Sequence, residues 1–129
     1  MRVVLFALLS IGLALGASAA EPKKPKPVDI KKEILEKCGS IPYGPTIAMD
    51  ATTATKDEME NAKMDVVAFI TQADVYQECL AKLEVTLKDR LSENDKRLLA
   101  AAGNRAQQEK EALGNDYNKL VDAFNKLHK

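Results

Sequence analysis

The chain contains no tryptophan, one histidine and two cysteines among its 129 residues, and aromatic residues make up only 5% of it. Its 19 basic and 19 acidic residues cancel, so it has no net charge. A nucleic-acid-binding protein usually carries a surplus or a stripe of basic residues, and this charge balance argues against that class. The single histidine, His128, lies where a chain usually frays, so we do not expect it to act as a ligand or a general base.

Motifs that would indicate catalysis or metal binding are also missing. Beyond residue 20 the serines are Ser40 and Ser92, and neither can be combined with His128 and an acid into a nucleophilic triad. There is no CxxC, HExxH, glycine-rich phosphate loop or EF-hand spacing. Acids such as Glu58 and Asp65 follow one helix face, where a solvated surface is the better explanation than a cation site. We therefore predict a non-enzymatic protein without cofactor, metal site or small-molecule substrate.

The first twenty residues have the pattern of a signal peptide. Arg2 precedes an apolar run over 3–15, which is shorter than the roughly 20 residues of a transmembrane helix. The small residues at 17–20 predict cleavage after Ala19 or Ala20. Removing 1–20 takes away one of 19 basic residues and no acid, which leaves a net charge of −1 and no transmembrane anchor. We expect an exported protein, in the periplasm or otherwise extracellular.

The next seven residues, 21–27, contain three prolines and three lysines. This composition is typical of an extended, solvated tether rather than of a helix or a core. The remaining residues, 28–129, are long enough for a single domain with its own core. We predict that this domain is helical throughout.

Two long helices are predicted, over about 56–91 and 93–127. The first has apolar or small residues at alternating steps of three and four, and Thr55-Lys56-Asp57-Glu58 forms a capping box at its start. Its predicted inner stripe is Met59, Ala62, Val66, Phe69, Ala73, Tyr76, Leu80, Leu83 and Leu87. A second box at Ser92 begins the other helix, whose predicted inner face is Leu99, Ala102, Ala106, Leu113, Tyr117, Leu120, Phe124 and Leu127. Gly114 makes a kink or break in it conceivable.

So short a connection at Ser92 requires the two helices to lie antiparallel. Counting outward from the turn places Leu87 against Leu98 or Leu99, Phe69 near Tyr117 and Met59 near Phe124. The predicted fold is all-α: an antiparallel, coiled-coil-like two-helix hairpin with an N-terminal segment pinned to it. Within that segment, residues 28–38 are predicted to form a two-turn helix that Asp29 caps and Gly39 ends.

The two cysteines, Cys38 and Cys79, are expected to pair if the protein is exported, because oxidising compartments favour disulfides. Two free thiols or an intermolecular bond are the alternatives. A Cys38–Cys79 bond would bring the apolar loop with Ile41 and Tyr43 onto the long helix beside Ile70. We expect that loop to pack on the helix, with an exposed ligand-binding loop as the alternative.

The residues around the cysteines resemble a group of small exported proteobacterial proteins. These proteins place a cysteine before an Ile/Val-Pro-x-Gly turn and follow it with Tyr-x-x-Cys-Leu and a charged helix. Here the corresponding residues are Cys38, the turn at 41–44 and the run at 76–80, and the resemblance extends over about 38–128. It implies a bacterial periplasmic setting and no assigned activity.

Function is therefore predicted only as a class. We expect an exported protein that acts through protein–protein contacts, with a protein partner or a second copy of itself. The predicted contact residues are Ile41, Tyr43 and Ile70. One alternative is a holdase that shelters apolar clients in a groove between the first long helix and the pinned loop. Another is a thiol redox or metal site at Cys38 and Cys79.

Overall fold

The computed structural model describes residues 19–129, so most of the predicted signal peptide lies outside the described residues. Over this range the chain forms three α-helices, α1 (Ile30–Cys38), α2 (Lys56–Leu87) and α3 (Glu93–Leu127). A short 3₁₀ helix, Lys88–Arg90, follows α2, and residues 19–129 contain no β-strand. The prediction of an all-α fold is confirmed. Residues 21–27 are exposed and have no regular secondary structure.

The start of α2 is set by the predicted capping box. The Thr55 hydroxyl accepts from the Glu58 backbone N–H at 3.2 Å, and the Thr55 backbone N–H donates to the Glu58 carboxylate at 2.7 Å. These bonds satisfy two donors that a helix N-terminus would otherwise leave without partners. The backbone and hydroxyl donors of Thr55 also lower the pKa of Glu58.

The end of α2 differs from the prediction. The helix stops at Leu87 rather than near residue 91, and its last turn tightens into the 3₁₀ helix. Leu91 is extended, with φ −83° and ψ 127°, and packs against the apolar side chains around Leu87 and Leu99. Ser92 then caps α3 by accepting from the Asp95 backbone N–H at 3.1 Å. Residues 88–91 are needed in the connection because the chain must turn away from the axis of α2 before Ser92 can cap α3.

Helix α3 is continuous through Gly114, and no break occurs there. The flanking residue Leu113 is buried in the core, and Phe69 and Tyr117 belong to the same apolar cluster. The packing of this face outweighs the roughly 1 kcal/mol by which a glycine disfavours a helix interior.

Three apolar clusters follow one another along α2 and α3. All nine residues of the predicted stripe on α2 are buried. The tip cluster is Ile30, Tyr76, Leu80, Leu83, Leu87, Leu99 and Ala106. The middle cluster is Val66, Phe69, Ala73 and Leu113, and the far cluster is Ala51, Ala54, Met59, Leu120 and Phe124. Residue numbers fall along α2 as they rise along α3, so the two helices lie antiparallel in the register that the sequence indicates.

The outer end of α3 is an exception to that register. Leu127 was expected on the inner face, but 56% of it is exposed. Helix α2 begins at Lys56, and Met59 already packs against Phe124 in the far cluster. Leu127 is the last residue of α3, and the ring that stacks on Phe124 at this end is that of His128.

The third helix, α1, packs on both long helices, so the description as a two-helix hairpin is not confirmed. Asp29 caps α1 by accepting from the Lys32 backbone N–H at 3.2 Å. Gly39 ends it with φ 80°, a conformation that favours glycine. Ile30 is 3% exposed within the tip cluster. The predicted disulfide joins Cys38 to Cys79, with their Cα atoms 5.6 Å apart.

The loop between α1 and α2 lies over the seam of the long helices, as expected. A Cβ at Gly44 would come within 3.4 Å of both Leu113 and Phe69, so the backbone passes close to the middle cluster. Ile47 packs against the middle and far clusters, and the turn at Asp50 buries two alanines, Ala51 and Ala54. The N-terminal segment therefore covers one side of the α2–α3 pair over most of its length.

Candidate functional site

An apolar groove opens between α1 and α3, and we call it the α1–α3 groove. It has a volume of about 460 Å³, within the size range of ligand sites in proteins. Its lining comes from α1, the start of the following loop, α3 and one residue of α2. These residues are Lys31, Ile34, Leu35, Gly39, Ser40, Ile41, Tyr76, Leu98, Ala101 and Ala102.

The two walls of the groove differ in the size of their side chains. Helix α1 contributes Ile34, which is half-buried, and Leu35, which is 63% exposed. Helix α3 contributes Leu98 and two alanines, which present little bulk. Because Ala101 and Ala102 have short side chains, they leave an open apolar depression on this side of α3, and the Leu35 side chain lies beside it. Leu35 is one of the largest apolar side chains that the fold leaves in water.

Tyr76 of α2 lies between the groove and the core. It is only 4% exposed, and its hydroxyl group is buried without a hydrogen-bond partner. Burial raises the pKa of Tyr76 above its ordinary value of 10.0, because the phenolate would be poorly solvated. Burial of the Tyr76 ring stabilises the folded protein. Burial of its hydroxyl without a hydrogen-bond partner costs about 1–3 kcal/mol and destabilises it.

Polar side chains are found only at the edges of the groove. Lys31 lines it on the α1 side, and Ser40 lines it where the chain leaves the disulfide; both are exposed. The groove therefore offers an apolar surface with a single cationic group at its margin. Such a surface suits an apolar side chain or helix face better than it suits a strongly polar ligand.

The three predicted contact residues are not brought together. Ile41 is half-buried, packs against the tip cluster and lines the groove. Tyr43 is 69% exposed and does not line the groove, so its expected packing on the long helix is wrong. Pro42 occupies the buried position of this turn, and the residue after it is turned out to water. Ile70 is half-buried against the middle cluster, away from the groove.

The groove expected between the first long helix and the pinned loop exists in a smaller form. A cavity of about 240 Å³ lies there, bounded by residues 45–49 of the loop and by four residues of α2. Glu58 and Asp65 are among those four, so this cavity is more polar than the α1–α3 groove.

Sequence reasoning missed Leu35, although an apolar residue directly after Ile34 on a short helix was the available signal.

The two cysteines and the histidine contact other residues of the fold. Cys38 and Cys79, the only cysteines of the chain, form one disulfide. The His128 ring stacks on Phe124 with centroids 4.1 Å apart, and its Nδ1 lies 2.9 Å from the Phe124 carbonyl oxygen. Within 19–129, no three His, Cys, Asp or Glu side chains form a group that could hold a metal ion.

The helices in the described range include none with the length and apolar character that crossing a membrane requires. Fold and groove together define a small disulfide-linked helical protein with an apolar surface depression. No protein-family model matches the chain, and neither a curated protein sequence nor a solved structure matches it significantly. Its function must therefore be inferred from its own geometry.

Proposed function

We propose that the chain is a non-enzymatic protein that is exported to the periplasm and acts by binding an apolar segment of another protein in the α1–α3 groove. The observation that carries this proposal is the exposure of Leu35 beside an apolar depression of about 460 Å³. Exposed apolar surface is costly in water, and contiguous patches of it usually mark interaction sites.

The scaffold under the groove supports this role. We infer that α2 and α3 act as a coiled-coil-like hairpin that provides a rigid base, to which the disulfide fixes α1. The Cys38–Cys79 bond holds the end of α1 against α2, and Ile30 anchors its start in the tip cluster. Because α1 is already ordered, binding at the groove would not carry the entropy cost of ordering it. This lower cost is the advantage of a preorganised site.

Export is supported by the sequence pattern at 1–20 and by the use of both cysteines in one bond. Fractionation of cells that express the full chain, with mass measurement of the processed form, tests it. A protein of full mass in the cytoplasm would contradict export. It would leave the groove proposal to be judged on its own experiment.

The groove is tested by site-specific photo-crosslinking in an exporting bacterium. A photoreactive residue at position 35 is expected to yield a discrete adduct with another protein. The same residue at Gln108, an exposed position of α3 that does not line the groove, is the matched control. Absence of an adduct at position 35, or the same adduct at both positions, would contradict the proposal.

A holdase would use the same groove with less selectivity. In that case the protein should suppress aggregation of an unfolded client, and Leu35→Glu should abolish the protection. Ile41→Ser should also weaken it, whereas Ile70→Ser should not, because Ile70 does not line the groove. Equal protection by all variants would remove the holdase alternative.

The thiol alternative makes a separate prediction. If Cys38 and Cys79 worked as a redox or metal site, they should be reduced readily and react with a thiol reagent in the folded protein. A structural disulfide should instead resist mild reductant until the chain unfolds. Thiol titration under native conditions distinguishes the two.

A further inference from the structure

Exposed basic side chains from two separate segments meet at the turn between α2 and α3. The Arg90 Nε donates to the Lys26 carbonyl oxygen at 3.4 Å, so the tether, residues 21–27, reaches the 3₁₀ helix Lys88–Arg90. Every residue of these two segments is exposed. We call the two segments together the basic end of the molecule. Its basic residues are Lys23, Lys24, Lys26, Lys88 and Arg90.

Acids within the basic end neutralise only part of its charge. Glu21 and Asp89 are the acids of the two segments, so five basic and two acidic residues give a net charge of +3. Within residues 19–129, none of the five basic side chains forms an ion pair. Lys23 is three residues from Lys26 and therefore lies within about 11 Å of it, even in a fully extended chain. This distance is comparable with the Debye length at physiological ionic strength, so the charges act together.

The acids that flank the basic end have partners of their own. The carboxylates of Asp29 and Asp95 accept hydrogen bonds from backbone N–H groups at the starts of α1 and α3. The positive end of each helix dipole offsets part of their charge. Glu93 pairs with Lys96 at 2.7 Å, and Glu84 lies near the same ammonium group. These acids therefore reduce the positive charge of the basic end only partly.

The charge of the chain is distributed unevenly along its length. The wider region around the turn, 21–31 and 84–97, has eight basic and six acidic residues. The remainder, 32–83 and 98–129, has ten basic and thirteen acidic residues. A chain that is almost neutral after residue 20 thus has a positive end and a negative body. Such a distribution orients a molecule in the field of a charged surface.

The tether suits a charged surface better than a shaped pocket. Pro25 and Pro27 restrict Lys24 and Lys26 to extended backbone conformations, so little further ordering is needed when the lysines bind. Lysine ammonium groups are compact point charges without the bidentate geometry of arginine. Apart from its prolines, the tether has no apolar or aromatic side chain that could fill a pocket of a partner protein or stack on a nucleic-acid base.

We propose that the basic end docks on the anionic headgroups of a lipid bilayer. Each lysine or arginine beside an anionic membrane strengthens binding roughly fivefold. A net charge of +3 should thus strengthen binding about a hundredfold over that of a neutral chain, and the contact should be reversible and sensitive to salt. This docking does not depend on occupation of the α1–α3 groove.

Co-sedimentation of the full processed chain with lipid vesicles tests the proposal. At low ionic strength the chain should bind vesicles of equal parts phosphatidylcholine and phosphatidylglycerol but not vesicles of phosphatidylcholine alone, and added salt should release it. The triple variant Lys23→Gln, Lys24→Gln, Lys26→Gln should bind at least about tenfold more weakly. Failure of the parent chain to bind the mixed vesicles, or equal binding to both kinds, would overturn the proposal.

The matched control removes the same charge from the other end of the molecule. The variant Lys119→Gln, Lys126→Gln, Lys129→Gln changes three exposed lysines and should bind the mixed vesicles as the parent does. If it lost as much binding as the tether variant, net charge alone would govern the interaction and the proposal would be wrong. Circular dichroism with unchanged helix content confirms that both variants are folded.

Two further measurements separate the basic end from its alternatives. The variant Lys88→Gln, Arg90→Gln leaves the tether unchanged and should still weaken vesicle binding at least about tenfold. Binding equal to that of the parent would contradict a joint surface of tether and turn. Retention on a heparin column without any vesicle binding would show that the basic end binds soluble polyanions, and would overturn the proposal as well.

Discussion

The Gln77 side-chain amide donates to the backbone carbonyl oxygen of Gly103 at 3.1 Å. This hydrogen bond joins α2 to α3 at a half-buried position, and Gln107 accepts a second, longer bond from the same nitrogen at 3.4 Å. A Cβ at Gly103 would meet only the Leu80 side chain, at 3.9 Å, so this hydrogen bond does not require a glycine there. The pair ties the two long helices together in a single register.

Replacement of Gln77 by alanine is expected to lower the free energy of unfolding by about 1 kcal/mol, because the interhelical hydrogen bond is lost and the Gly103 carbonyl keeps only its helical partner. Gln108→Ala, at an exposed position of α3, should change it by less than about 0.5 kcal/mol. Urea denaturation of both variants measures the difference. Equal midpoints for the two would show that the Gln77 bond adds no stability.

Removal of the disulfide should have the largest effect. Cys38 and Cys79 are 41 residues apart in sequence, and closing a loop of that length stabilises by about 4 kcal/mol on the chain-entropy model. The double variant Cys38→Ser, Cys79→Ser should unfold at a much lower urea concentration. Hydrogen exchange should show the loss of protection first in α1, since it has fewer packed neighbours than α2 or α3. Protection of α1 equal to that of the oxidised protein would contradict this account.

Tyr76→Phe should stabilise the protein or leave its stability unchanged, unlike most core substitutions. The phenol oxygen is buried without a partner, so its removal recovers up to about 1–3 kcal/mol of desolvation cost while the ring remains. Tyr117→Phe, at a half-buried position of α3, is the control. Thermal unfolding with matched denaturant curves measures both. A clear loss of stability in Tyr76→Phe would mean that the hydroxyl has a partner in solution.

Gly114→Ala should raise the free energy of unfolding by about 0.5–1 kcal/mol. Gly114 lies inside the continuous helix α3, and a Cβ there would meet no atom within 4 Å. Gly39→Ala should have the opposite effect, because the φ of 80° at the end of α1 disfavours a side chain. Denaturant curves of the two variants should therefore shift in opposite directions.

Acidification should weaken the two capping boxes. Hydrogen bonds from Thr55 and Ser92 lower the pKa of Glu58 and Asp95 below their ordinary values of 4.5 and 3.8. Their contribution to stability is fully present above those ordinary values and is lost as the pH falls through the lower folded-state values. Unfolding midpoints should thus decrease as the pH is lowered below about 4.5. The variant Glu58→Gln, Asp95→Asn should show a smaller decrease, and Asp57→Asn, whose carboxylate forms none of the box hydrogen bonds, should behave as the parent.

Much of this architecture follows from local sequence rules. The capping boxes at Thr55 and Ser92 predict the starts of α2 and α3, and the stripe on α2 is buried at all nine positions. Periodicity works well here because the two long helices bury one face each along a shared seam. The expected compartment and the number of cysteines predict the disulfide, which joins the end of α1 to α2.

The remaining features depend on contacts that no local pattern encodes. Tyr43 is apolar, yet Pro42 takes the buried place and Tyr43 is left in water. Leu127 continues the helical stripe, but it is the last residue of α3 and is left largely exposed. The α1–α3 groove arises from the position of a short helix over three small or half-buried residues of α3, which depends on tertiary packing. For that reason the sequence shows an apolar residue after Ile34 on a short helix, but it does not show the depression beside that residue.

Arg90 contacts the backbone of Lys26, at the end of the molecule where residues 21–27 join the helical domain. The Arg90 Nε donates to the Lys26 carbonyl oxygen at 3.4 Å, which places the end of the tether (residues 21–27) at the turn between α2 and α3. The other end of α3 lies about 50 Å away, at 1.5 Å per residue. A cargo fused before residue 26 and another fused after residue 127 would sit at opposite poles of a rod. Tension between them would pull along its long axis.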